Sequence, residues 1–179
     1  ELQSRAKRER GQLIEQVRRH VALSPALERA LLEVPRERFV PPELVQRAAE
    51  DVALRLDDSG QSTISAPHAY ALSFNALDIE PGDHVADLGG GSGYGAALLA
   101  ELVGPHGNVV SVEYDPKLVS WAQQNLAPWP WVKAIAGDAH DVDLWRGANK
   151  VSIGFALQEL PSAFAEALPI GGRLVAPVR

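Results

Sequence analysis

The sequence predicts an α/β fold, a doubly wound and mostly parallel sheet carrying an N-terminal helical cap, and three observations lead there. From residue 84 onward, short apolar runs alternate with helical segments. A glycine-rich turn, Gly89-Gly90-Gly91-Ser92-Gly93, directly follows the first run. Acidic residues stand at or just after the ends of the first three runs, at Asp87, Glu113 and Asp138. Strands joined through helices pair in parallel by right-handed crossovers, and such a sheet is covered on both faces.

The N-terminal elements follow from periodicity and punctuation. Leu13, Ile14, Val17 and Val21 recur at helical spacing within residues 2–22, which predicts an amphipathic helix. Ser24-Pro25 reads as N-cap and first helical position of a second helix through about Glu33. Val34 precedes Pro35 and is biased away from helix, and Pro41-Pro42 interrupts the chain again. A short helix around Glu43–Glu50, a turn at Asp57–Gly60, a polar extended stretch at Ser62–Pro67 and a helix over Ala69–Leu77 complete the cap.

The second part reads as Val85–Leu88 strand, Gly95–Leu102 helix, Val109–Glu113 strand and Pro116–Leu126 helix. Strands at Val132–Ile135 and Val151–Phe155, a helix at Ser162–Leu168 and a strand at Arg173–Val178 follow. The expected division is residues 1–77 as cap and substrate or cofactor loop, and 78–179 as ligand-binding core, within one structural unit.

Composition narrows the function. A chain of 179 residues with 46% hydrophobic and 22% charged residues can bury a core of its own. Its net charge of -6 disfavours a surface that tracks phosphates, and the local basic stretch of Arg5, Lys7, Arg8, Arg10, Arg18 and Arg19 reads as a solvated helix face. The absence of cysteine excludes disulfides, thiolate metal sites and a thiol nucleophile. No apolar run approaches the roughly 18 residues of a membrane helix, and no secretory signal opens the chain, so the cytoplasm is expected. The chain begins at Glu1 and contains no Met, which suggests trimming at one or both ends. His20, His84, His106 and His140 are far apart without ligand spacing, so no metal is expected. Trp121, Trp129, Trp131 and Trp145 read as packing residues rather than a stacking platform for bases.

The glycine turn and the three acids specify a ligand. Glycines let backbone approach a bound molecule closely, and ligands of open α/β sheets bind at the carboxyl ends of the strands. Glu113, about 20 residues past the turn, is placed to accept hydrogen bonds from ribose hydroxyls. Asp138 can accept from an adenine amino group. A dinucleotide site is usually GxGxxG and faces a pyrophosphate; here the turn is GxGxG, and Asp87 beside it repels phosphate and attracts an amine. S-adenosylmethionine has the matching amine, ribose and adenine and no phosphate.

The motifs Val34-Pro35-Arg36-Glu37-Arg38-Phe39-Val40, Gly60 through His68 (GQSTISAPH) and Asp87–Tyr94 resemble the protein-L-isoaspartate O-methyltransferase family, class I S-adenosylmethionine-dependent methyltransferases of Rossmann-like fold. Gly171–Val178 (GGRLVAPV) resembles the family too, and order and spacing agree over roughly residues 25–178. The resemblance implies Ser65 as the active-site serine of a closing loop and Ser62, Thr63 and Ile64 as cofactor-lining loop residues. It implies Asp87, Gly89, Gly91 and Ser92 around the methionine moiety, Glu113 at the ribose and Asp138 beside adenine. Two stretches depart from the family pattern: Asp58-Ser59 with a lengthened loop, and the bulky Gly154-Phe155-Ala156-Leu157-Gln158-Glu159-Leu160-Pro161, which bears on specificity. The family also continues past the last strand of this chain.

Methyl transfer from a sulfonium is an in-line substitution governed by positioning. A carboxylate acceptor is already ionised near neutrality and needs no base, so Ser65 orients the acceptor rather than attacking, and rates are expected to stay flat from about pH 6 to 8. His68 reads equally as a packed loop residue or a substrate contact. The expected substrate is a protein or peptide with a free carboxylate, namely L-isoaspartyl residues, with no nucleic-acid or membrane partner and a monomeric enzyme. The alternatives are a related enzyme for a carboxylate in a dedicated peptide or small-molecule pathway, and a cofactor-binding module without turnover. A tRNA methyltransferase is disfavoured by the net charge and by the TISAPH loop.

Overall fold

In the computed structural model residues 2–179 are described, with side chains from residue 7 onward, so Glu1 and the side chains of Leu2 and Arg5 lie outside the described residues. Helix α1 (Leu2–Val17) buries Leu13, Ile14 and Val17, the periodic residues, and ends before the expected 22 in a turn. Helix α2 (Pro25–Glu33) is capped by the Ser24 hydroxyl, which accepts from the Leu27 N–H at 3.2 Å. The basic face of α1 meets acids: Lys7 pairs with Glu33 at 3.0 Å, Arg10 with Glu37 at 2.6 Å and Arg18 with Glu28 at 2.6 Å. Of the described residues in that stretch, Lys7, Arg10 and Arg18 are thus paired with acids of α2 and of the turn that follows it.

A 3-10 turn at Arg36–Arg38 precedes a 3-10 helix at Pro42–Arg47, which stands where a short helix at 43–50 is expected and closes with i to i+3 bonds such as Leu44 N–H to the Pro41 carbonyl. A two-stranded hairpin absent from the sequence reading follows, β1 (Leu54–Arg55) antiparallel to β2 (Thr63–Ile64), with Leu54 opposite Ile64. Its strands are too short to show alternation. Helix α3 (Pro67–Leu77) leads into the sheet.

The sheet contains β3 (His84–Leu88), β4 (Asn108–Glu113), β5 (Val132–Ala136), β6 (Lys150–Ile153) and β7 (Arg173–Val175). Their order is β5-β4-β3-β6-β7 and every pairing is parallel. The order reverses beside β3, so β3 and its neighbours open a crevice at their carboxyl ends. The strand expected to reach Phe155 stops at Ile153, where a β-carbon on Gly154 would lie 3.0 Å from the Gly89 carbonyl and the chain must turn over the glycine loop. The strand expected to reach Val178 ends at Val175, and only Val178 rejoins as a bridge to Leu157.

Helices α4 (Tyr94–Val103) and α5 (Pro116–Asn125) join α3 on one face, in a core running without interruption from Leu13 to Ala134. On the opposite face Ala86, Leu88, Val112, Val151 and Ile153 meet Trp145 and Phe164, the latter from α6 (Ser162–Ala167). The indole N–H groups of Trp129, Trp131 and Trp145 donate to Glu101, Ala100 and Ala139, which fits a packing role.

Helices α1 and α2 pack on α3 and α4 as an outer layer of one face. Leu56 and the hairpin residues Thr63 and Ile64 reach over the carboxyl ends of the strands. Helices bury an apolar stripe against other helices, whereas a short hairpin can reach over the strand ends.

Candidate active site

The turn between β3 and α4 is built for close approach. Gly89 and Gly91 have φ of +80° and +56°, values L side chains rarely adopt. A β-carbon at Gly89 would lie 2.9 Å from the Phe155 ring, and one at Gly91 3.1 Å from Leu56. The backbone therefore faces a cleft with no side chain of its own, and two cavities that share Leu56, Thr63, Gly89, Gly91 and Gly154 in their walls open there. The larger, about 620 Å³, is bordered by Ser62, Thr63, Gly89, Gly91, Glu113 and Asp138, with Phe155 at its wall. The smaller, about 100 Å³, is bordered by Thr63, Ile64, Ser65, Tyr70, Asp87 and Ser92.

Asp87 is 5% exposed and its carboxyl is pushed up to about 7, by burial first and by the Glu113 charge second; the Ser111 hydroxyl, at 3.5 Å, opposes the shift. A group so placed favours a cationic ligand. Glu113 is held rigid by two backbone N–H donors, Gly91 at 2.9 Å and Asp115 at 3.0 Å, and each carboxylate oxygen retains capacity to accept again. Asp138 is exposed and is kept below the usual carboxylate range by the His140 backbone N–H, then by the His140 ring at 2.9 Å. Both bonds use Oδ1, which leaves Oδ2 for a ligand.

The loop that carries Ser65 is organised by Arg36. Its guanidinium, 1% exposed, donates to the carbonyls of Ala48, Glu50, Val52 and Ser65 at 2.8–3.1 Å. It also lies 5.8 Å from the centre of the Tyr94 ring. The Tyr70 hydroxyl accepts the Ser65 N–H at 3.4 Å and is itself pushed up to about 12, by burial first and by Asp87 second.

Every residue that the resemblance assigns to the cofactor or to catalysis borders one of the two cavities. The Ser92 hydroxyl donates to the Phe39 carbonyl at 2.7 Å, so it also ties the glycine turn to the VPRERFV segment. Its side chain is buried, and a buried hydroxyl takes the nearest acceptor. His68 borders neither cavity; its backbone N–H and Nδ1 both bond to Asp51. Leu56 and Tyr70 line the site without having been singled out, and Arg36 lay within a quoted motif with no role assigned. An arginine inside an apolar, proline-bounded stretch was the available signal.

The residues suit one ligand. The buried acid beside the glycine turn favours an ammonium or sulfonium over a phosphate, and the two further acids fit a ribose diol and an adenine amine. Five parallel strands with this turn and these acids define a class I S-adenosylmethionine-dependent methyltransferase. The family model of protein-L-isoaspartate (D-aspartate) O-methyltransferase matches residues 8–179. The chain belongs to that family. It is 43% identical to the protein-L-isoaspartate O-methyltransferase of Methanothrix thermoacetophila over 93% of this chain and 79% of that relative. To the enzyme of the same name from Ignicoccus hospitalis it is 40% identical, over 83% and 71% respectively. A solved protein-L-isoaspartate O-methyltransferase superposes with a TM-score of 0.85 at 30% identity, covering 94% of this chain but 55% of that longer one. A Plasmodium falciparum structure with S-adenosyl-L-homocysteine shares the fold, at a TM-score of 0.80 and 22% identity.

Proposed function

We propose that this chain methylates the free carboxylate of L-isoaspartyl residues in proteins or peptides, using S-adenosylmethionine, as a step of protein repair. Esterification makes the carbonyl open to attack by the neighbouring backbone amide nitrogen, and closure to a succinimide then releases methanol. The observation that carries this reading is the meeting of the Thr63–Ser65 loop with Asp87 and the glycine turn in one narrow cavity. It is supported by membership of a family whose relatives bear that activity in their names.

When bound, S-adenosylmethionine supplies a methyl group already activated as a sulfonium, so transfer to a carboxylate oxygen requires no proton to be removed. The chain's residues position. Asp87 holds the ligand's ammonium end, Glu113 the ribose, and Asp138 through Oδ2 the adenine amine. Gly89 and Gly91 let the backbone approach, and Ser62, Thr63 and Ile64 close over the cofactor. Ser65 donates a hydrogen bond that orients the acceptor oxygen. Arg36 and Tyr70 hold Ser65 in place through its backbone.

The bulky 154–161 stretch bears on the cofactor side of the site. Phe155 and Ala156 border the larger cavity, whereas only Gly154 of this stretch reaches the smaller one. That distribution favours an unaltered acceptor site over a pathway-specific carboxylate. The segment through residue 77 serves as cap and loop for the core at 78–179, and the enzyme works as a cytoplasmic monomer without a nucleic-acid partner. No described helix is long and apolar enough to cross a membrane.

The deciding assay compares an isoaspartyl peptide with its normal aspartyl twin. Methyl ester formation on the first alone supports the reading, and equal or absent transfer to both overturns it.

A further inference from the structure

Away from the cleft, the fold assembles His20, Asp51 and His68 from three segments: the turn after α1, the loop before β1 and the first turn of α3. One potential ligand atom from each lies within 4.8 Å of the other two. Asp51 Oδ2 is 3.0 Å from His68 Nδ1 and 3.9 Å from His20 Nε2, and the two imidazole rings lie 4.8 Å apart, centre to centre. Asp51 is the fixed member. Its side chain is 4% exposed, its Oδ1 accepts the His68 backbone N–H at 2.9 Å, and its own N–H donates to Gln16 Oε1 at 3.2 Å. This arrangement leaves Oδ2 as the shared acceptor between two imidazoles. His20 is 57% exposed in the turn after α1, so its ring can swing inward and one side of the cluster stays open to water.

We propose that His20 Nε2, Asp51 Oδ2 and His68 Nδ1 form a site for a divalent transition metal of the zinc type, with solvent completing the coordination. Two imidazoles and one carboxylate are a donor set suited to zinc and its neighbours, and poorly suited to magnesium or calcium, which favour oxygen ligands. Tetrahedral zinc at bonds of about 2.0–2.1 Å sets its ligand atoms about 3.3–3.4 Å apart, so Asp51 Oδ2 and His68 Nδ1 need only a small adjustment and His20 Nε2 must move inward, a shift its exposed ring can supply. On binding, the hydrogen between His68 Nδ1 and Asp51 leaves that edge and the ring carries its proton on Nε2. The metal would cross-link α1 to the start of α3, three residues beyond Ser65, and so brace the substrate loop from outside. The site stands independently of the methyl-transfer reading, because none of its residues borders either cavity.

The test is titration of the full chain with zinc chloride against a chromophoric chelator, together with cobalt absorption spectroscopy and thermal unfolding. The expected result is one saturable equivalent, visible d–d bands with cobalt, and a higher Tm with zinc. His20→Ala, a change at an exposed side chain, should weaken zinc binding by about tenfold or more and abolish both the bands and the Tm shift. His68→Ala should weaken it similarly, while the exposed and distant His106→Ala should leave it unchanged. No saturable zinc binding overturns the proposal, as does binding that persists undiminished in His20→Ala or is lost only in His140→Ala.

Discussion

Asp87 and Asp138 are the same residue type, placed beside the ends of two strands of one sheet, and they behave oppositely. Asp87 is 5% exposed, sits deep by the glycine turn and holds its proton up to about pH 7. Asp138 is 60% exposed, accepts two bonds from His140 and is kept ionised well below that. The difference teaches that strand-end position supplies the acid, while burial sets its chemistry. A deep acid is an incomplete ion pair that gains from a cationic ligand, and a shallow acid is a solvated hydrogen-bond acceptor.

Removing the deep charge should separate stability from binding. The folded pKa of Asp87 lies above its unfolded value, so this group's contribution to stability is full below about pH 4 and is lost as pH rises through 7. Asp87→Asn should therefore stabilise the apo chain by about 2–4 kcal/mol at pH 8, read by denaturant unfolding. The same substitution should weaken S-adenosylmethionine binding about 10- to 150-fold in calorimetry, the value of a lost charge-assisted bond of about 1.5–3 kcal/mol. A destabilised variant that still binds the ligand would reverse the assignment.

Ser65→Ala tests the neighbouring wall of the same cavity. It should lower kcat and kcat/KM together by about 10- to 100-fold with near-native cofactor affinity, since the bond aligns the acceptor. A loss confined to cofactor affinity would move Ser65 to the cofactor side.

The pH profile sharpens the comparison further. With Asp87 titrating at about 7, S-adenosylmethionine affinity should be level above that pH and fall about tenfold per unit below it. The kcat should stay flat from about 6 to 8, since a carboxylate acceptor needs no base. The flat profile expected from the sequence thus applies to kcat, while cofactor binding acquires a slope from a burial that no motif displays. The smallest effect belongs to the shallow acid: Asp138→Ala should cost about 1 kcal/mol of affinity, independent of pH in this range. A larger loss there than at Asp87 would break the comparison.

Much of this was legible in the chain. Alternating apolar runs and helical segments marked all five sheet strands, because burial on both faces demands continuous apolar residues. Glycines at positive φ and acids at strand ends marked the cofactor cleft, because local backbone requirements and register are written in neighbouring residues. The β1–β2 hairpin was not legible, since two-residue strands carry no period. Nor was the role of the Ser92 hydroxyl, whose acceptor is Phe39, 53 positions away.

By itself, then, the sequence determined the sheet, the glycine turn, the three acids and the family, all carried by short-range patterns. The tertiary structure alone decided which acid is buried, that the Ser92 hydroxyl bonds to Phe39, how Arg36 gathers four carbonyls around the Ser65 loop, and that His20 and His68 meet across Asp51. The physical reason is that burial, desolvation and metal-ligand geometry depend on distances between groups remote in the chain, and only packing sets those distances.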